Sequence, residues 1–135
     1  MTRVLTLNAG SSSIKFALYA AAPEPVEQAR GQIEALGPDA RLILEAKGAR
    51  TATPIGAADH ATALSHLIAA LDPLCDAQQI IAVGHRIVHG GPDIDASRIL
   101  TPDLIADLEA LQPLAPLHQP HNIAGVRAAQ AAFPQ

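Results

Sequence analysis

The sequence predicts an α/β domain: a mixed sheet that opens as an antiparallel meander and is flanked by helices. Three observations predict it. Apolar and polar residues alternate with a period of two near the start, apolar residues recur at helical spacing after residue 59, and a continuous apolar run leads into a glycine-rich segment.

Val4, Leu5 and Leu7 lead into Asn8-Ala9-Gly10-Ser11-Ser12-Ser13, after which Ile14, Phe16 and Leu18 alternate with Lys15, Ala17 and Tyr19. This reads as strand, tight turn, strand. Two further strands are expected at Val26 to Leu36 and Arg41 to Ala46, split by the breaker Gly37-Pro38-Asp39. From Asp59, the positions Leu64, Leu67, Ile68 and Leu71 predict a helix, which Asp72-Pro73 stops because the residue before proline disfavours helical backbone. Ile80-Ile81-Ala82-Val83 has the pattern of a short strand covered on both faces. Thr101-Pro102 supplies a capping hydroxyl and a proline at the first helical position, with Leu104, Ile105, Leu108 and Leu111 following at helical spacing. After a loop from Pro113 to Gln119, a last helix is expected from Pro120 to Phe133, with Ile123, Val126 and Phe133 inward. The expected order is β-β-β-β-α-β-α-α, with no internal domain boundary and no repeat.

Composition narrows the function classes. At 135 residues, 49% hydrophobic and 16% charged, the chain can bury a core. A net charge of -4, scattered lysines and arginines, and 2% aromatics argue against nucleic acid as a partner. Cys75 is alone, so no intrachain disulfide forms. The first residues lack a signal-peptide pattern and no segment reaches the ~20 apolar residues that span a bilayer, so a cytoplasmic location without membrane partners is expected.

The opening turn is the most informative stretch. Gly10 permits close backbone approach, and three serines offer hydroxyl and amide donors to an anion. It is not a Walker A loop, since a second glycine before the lysine is missing and a strand follows. Asn8, Ser11, Ser13 and Lys15 can present a metal ligand, two hydroxyls and a cation to one face of a strand-turn-strand; the same residues also read as plain turn chemistry, and Lys15 as a solvated strand residue. Arg86, followed by Ile87 and Val88, can fork onto a small carboxylate beside an apolar wall, or equally pair with an acidic side chain at a strand end. His85 and His89 would lie ~13 Å apart on a strand and lack a metalloprotease glutamate, so they are assigned hydrogen-bonding roles rather than zinc. Gly90-Gly91-Pro92 marks a turn, and His118 sits in a proline-bounded loop before a helix, where it either reaches a cleft or caps the helix.

Taken together, Leu7-Asn8-Ala9-Gly10-Ser11-Ser12-Ser13-Ile14-Lys15, Val83-Gly84-His85-Arg86-Ile87-Val88-His89-Gly90-Gly91 and Ala115-Pro116-Leu117-His118 resemble the acetate kinase family. The first stretch is similar to the signature of acetate and propionate kinases. The resemblance implies the actin-like fold of sugar kinases and heat-shock ATPases (ribonuclease H-like), in which two similar domains flank a nucleotide cleft. Residues 1–135 would then be an incomplete N-terminal domain, the second domain being absent. The implied activity is reversible phosphoryl transfer between ATP and acetate, giving acetyl phosphate and ADP; a propionate kinase and a non-enzymatic actin-like nucleotide-binding module are the alternatives.

Carried over by position, the resemblance implies that Asn8 helps place Mg2+ and that Ser11, Ser13 and Lys15 line the ATP phosphate site. Arg86 would hold the acetate carboxylate, Val88 and Leu117 would touch its methyl group, and His118 would donate to the transferring phosphoryl group. A homodimer is the assembly expected of the complete protein. Two departures stand out: Gln119 replaces the family's usual Asn, and the chain stops before the strand that carries the family's catalytic aspartate. The isolated piece is therefore expected to be inactive.

Overall fold

The computed structural model describes residues 2–87, 96–117 and 119–133. It contains strands β1 (Arg3–Ala9), β2 (Ile14–Ala20), β3 (Val26–Glu34), β4 (Gly37–Ala46), β5 (Ala49–Ala58) and β6 (Ile80–His85), and helices α1 (His60–Leu71), α2 (Pro102–Glu109) and α3 (Gln119–Ala132). The strands form one six-stranded sheet in the order β5-β4-β3-β2-β1-β6. Every pairing is antiparallel except that of β1 with β6.

Register decides which side chains share a face. Leu5 lies opposite Leu18, Leu7 opposite Phe16 and Ala9 opposite Ile14, while Ile14 also faces Ile33, which pairs with Leu42. Because strand side chains alternate, these residues form one continuous apolar face. Helix α1 lays Ala63, Leu64, Leu67 and Leu71 on it, and α3 adds Ala129. α2 packs on α3 rather than on the sheet. Helix starts follow capping chemistry: the Asp59 carboxylate accepts from the Thr62 N–H at 2.8 Å, which lowers the Asp59 pKa, and Thr101 Oγ1 accepts from Leu104 N–H at 3.2 Å.

The opening meander, α1, the strand at residue 80, α2 and α3 form as the periodicity predicts, with four differences. Strand β5 was not anticipated: Ala49–Ala58 has no apolar alternation and contains Pro54 and Gly56, and its extended form comes from pairing with β4 as an edge strand, where proline is tolerated. The expected breaker Gly37-Pro38-Asp39 lies inside β4 as an irregular start, with the register shifting between Gly37 and Ala40; Ala35, at φ 55°, lies between β3 and β4 instead. Strand β6 is not covered on both faces: Ile80 is buried, but Ile81, left out of the pairing at a register irregularity with β1, is 63% exposed, and β6 lies at the sheet edge. In the helices, α2 ends at Glu109, before Leu111, and α3 begins at Gln119, with Ile123 and Val126 buried and Phe133 half-buried. Among the described residues no helix is long and apolar enough to cross a membrane.

Candidate active site

The face of the sheet opposite the helices carries the candidate site. Asn8 and Lys15 are direct cross-strand partners, and β6 runs parallel to β1 with His85 beside Leu7. One residue on, the Arg86 N–H donates to Leu7 O at 3.1 Å. His85 thus falls on the helix side with Leu7, and Arg86 on the open side with Asn8. The result is an open hollow of about 500 Å³ whose lining includes Thr6, Asn8, Lys15, Ala17, Gly84 and Arg86.

Two cations, Lys15 and Arg86, border this hollow. Arg30, Arg41, Arg50 and Arg127 each hold a carboxylate: Glu27 and Glu45, Glu34, Glu45, and Glu109 respectively. Among the described residues, Lys15 and Arg86 are in no ion pair. Two cations without counter-charge on one hollow favour an anionic occupant. A second open hollow, lined by Glu109, Ala110, Gln112, Pro113, Pro116 and Pro120, offers a carboxylate and no cation, so it does not suit an anion.

The turn beyond Asn8 closes on itself through the Gly10 N–H, which donates to Ser13 O at 2.8 Å, and is tied to the next turn by Leu36 N–H to Ser12 O at 3.0 Å. Ser11 is exposed at its tip and Ser13 is half-buried. The helices support the turn from the covered side: His60 Nε2 donates to Gly10 O at 2.8 Å, and Asn122 Nδ2 donates to Ala9 O at 2.8 Å. The His60 ring stacks on His121, with centroids 5.8 Å apart. His85 Nδ1 donates to Arg86 O at 2.7 Å; since a carbonyl only accepts, the proton sits on Nδ1. Burial lowers the His85 pKa, with the bond to the Arg86 carbonyl opposing it, and holds the ring neutral near pH 7.

Of the residues singled out in the sequence, the fold brings Asn8, Lys15 and Arg86 around one hollow, with Ser11 and Ser13 on the adjoining turn. Leu117 is 76% exposed in the segment before α3 and does not line the hollow. Val88, His89, Gly90, Gly91, Pro92 and His118 lie outside the described residues. Among the described residues no group of three or more His, Cys, Asp or Glu converges, and Asn8 brings an amide side chain to the hollow. His60 and Asn122 escaped the sequence reading, His60 because it reads as an ordinary first helical residue. The available signal was Asn122, a polar residue beside Ile123 on the inward side of a helix. Gln119, the departure from the family pattern, is buried and donates from Nε2 to Leu108 O at 3.0 Å, tying the start of α3 to α2.

Known proteins share this fold. The profile of the Acetokinase family matches residues 3–135. The acetate kinase of Deinococcus radiodurans is 42% identical over 132 residues, which is 97% of this chain and 33% of that protein. That of Oceanobacillus iheyensis is 40% identical over 139 residues, 100% of this chain and 35% of its own length. The crystal structure of Porphyromonas gingivalis acetate kinase superposes with a TM-score of 0.91 at 37% identity, over 99% of this chain and 35% of that one. A propionate kinase from Francisella tularensis superposes equally well, with a TM-score of 0.91 at 30% identity, over 100% of this chain and 35% of that one. The actin-like fold expected from the resemblance is the fold of these kinases. The chain spans about a third of the length of the relatives it matches. With the family profile covering residues 3–135 and this sheet shared with two kinases, the chain belongs to the acetokinase family.

Proposed function

We propose that this chain is the acetate-holding and phosphate-cradling part of a cytoplasmic ATP:acetate phosphotransferase, forming the first of two domains in a protein that works as a homodimer. The observation that carries the reading is the convergence of Lys15 and Arg86, neither of them ion-paired among the described residues, on the hollow beside Asn8. Arg86 holds the acetate carboxylate, a planar anion that a guanidinium grips with two parallel hydrogen bonds. Lys15, with the Ser11 and Ser13 hydroxyls, takes the ATP phosphates. Asn8 would offer its amide oxygen to Mg2+. When bound, that ion neutralises phosphate charge. Val88 borders the acetate methyl group, and His118 donates to the phosphoryl group in transit; Leu117, exposed and outside the hollow, is not assigned a contact with acetate.

Phosphoryl transfer asks the protein mainly for positioning and charge neutralisation. One half of a cleft supplies part of that, so the 135-residue chain alone makes no acetyl phosphate. The test is an acetyl phosphate assay on this chain and on the longer protein that contains it, with Arg86→Ala in the latter. A charge-assisted hydrogen bond contributes about 1.5–3 kcal/mol, so Arg86→Ala raises the acetate KM about 10- to 150-fold and leaves ATP binding nearly unchanged. An unaltered acetate KM refutes the clamp. A second reading, propionate as the preferred substrate, draws on the Francisella tularensis propionate kinase and is decided in the same assay by the ratio of kcat/KM for the two acids.

A further inference from the structure

We infer that His60 and Asn122 are positioning residues that fix the phosphate turn from beneath, an inference that rests on the reading of that turn as an anion site. The two side chains come from different helices, yet they take successive carbonyls of one strand end: Asn122 Nδ2 donates to Ala9 O and His60 Nε2 to Gly10 O, both at 2.8 Å. Each is itself fixed. Asn122 is 2% exposed within α3, and His60 is the first residue of α1, stacked on His121 of α3.

The consequence follows from peptide geometry. In a trans peptide the C=O and the next N–H point in opposite directions, and among the described residues no peptide is cis. Holding Gly10 O toward His60 on the helix side therefore aims the Ser11 N–H away from the helices. Holding Ala9 O toward Asn122 turns the Gly10 N–H the other way, where it closes the turn on Ser13 O. Among the described residues the Ser11 N–H has no acceptor, which leaves it as a fixed donor for an anion. Without His60, the peptide joining Gly10 and Ser11 is free to rotate, since glycine places little steric restriction on it. Rotation would turn a carbonyl oxygen toward the phosphate in place of an N–H. His60 and Asn122 touch no ligand, and they act through the orientation of that one peptide unit.

The functional test uses the longer protein that contains this chain, with His60→Phe, which keeps a stacking ring but removes the donor, and His60→Gln, whose amide reaches to a similar distance. With one positioned donor lost, His60→Phe lowers kcat/KM for ATP about 5- to 10-fold while the acetate KM stays within about twofold. His60→Gln restores most of the loss. An unchanged kcat/KM for ATP in a folded His60→Phe protein overturns the inference; so does a parallel rise in the acetate KM, or a glutamine variant no better than phenylalanine. If the unaltered protein makes no acetyl phosphate, the proposed activity fails, and the positioning role is decided in the 135-residue chain by 15N NMR. There His60→Phe must shift or broaden the Gly10 and Ser11 amide signals while leaving that of Leu5 in place, and His60→Gln must return them. Unmoved turn amides overturn the inference whatever the activity.

Discussion

Replacing Gly125 with alanine sets two effects of opposite sign against each other. In a helix interior alanine is favoured over glycine by ~1 kcal/mol, so propensity alone predicts a more stable protein. Packing predicts the reverse. Gly125 lies where α3 presses on β1 and β6, and a Cβ there would stand 2.5 Å from His85 Nε2 and 2.6 Å from the Ala9 Cβ. Neither neighbour can step aside: the Ala9 Cβ is fixed to strand backbone, and the His85 ring is held by its bond to Arg86 O. The helix must move instead, and overpacking of this kind costs about 1–3 kcal/mol. The balance is a net loss of about 0–2 kcal/mol. At this chain length that lowers Tm by up to about 7 °C. Thermal melts and urea titrations of the chain, read by circular dichroism, measure it. The double variant Ala9→Gly with Gly125→Ala removes one of the two clashes and should recover part of the loss. A Tm that rises in Gly125→Ala would show that the helix rests on the sheet less closely than described, and would refute the reasoning.

Other consequences can be tested in the same chain. Gln119→Asn should shorten the side chain below the reach of Leu108 O, costing about 1–2 kcal/mol from the lost hydrogen bond and methylene; unchanged urea stability would show that the link to α2 contributes nothing. Because the His85 pKa is lowered in the folded chain, the unfolded chain binds the extra proton first as pH falls. The stability His85 contributes is therefore complete above its unfolded pKa of ~6.5 and is lost as pH falls through the lower folded value. A His85→Gln variant should show a shallower loss between pH 7 and pH 5, and identical slopes would remove His85 as the cause. Cys75 is 6% exposed and burial raises its thiol pKa, so alkylation by iodoacetamide at pH 8 should be at least about tenfold slower in the native chain than in denaturant.

Periodicity made the order of most elements legible, because one apolar face per strand and one stripe per helix were enough to specify them. Strand β5 was illegible for the complementary reason: its alanines and threonines carry no apolar alternation, and it is extended because β4 offers an unpaired edge. The exposure of Ile81 could not be read either, since a run of four apolar residues looks the same whether one face or two are covered. At the site, the alternation around the turn put Asn8 and Lys15 on a common face, but the arrival of Arg86 beside them depends on the parallel pairing of β1 and β6, a long-range contact. His60 and Asn122 were hidden because their partners are backbone carbonyls distant in sequence, and nothing local marks a side chain that will reach one.

The parallel pairing of β1 with β6 also sets an order of events during folding. The hairpin that shapes the turn joins neighbouring segments, whereas His85 must return to Leu7 from far along the chain. Chain-closure entropy makes the second step costlier by about 2 kcal/mol, so the turn is formed before the guanidinium arrives. Substitutions in β2 should therefore slow folding, while substitutions in β6 should chiefly speed unfolding. For a nascent chain, the serine turn exists before the strand that brings Arg86 beside it is docked.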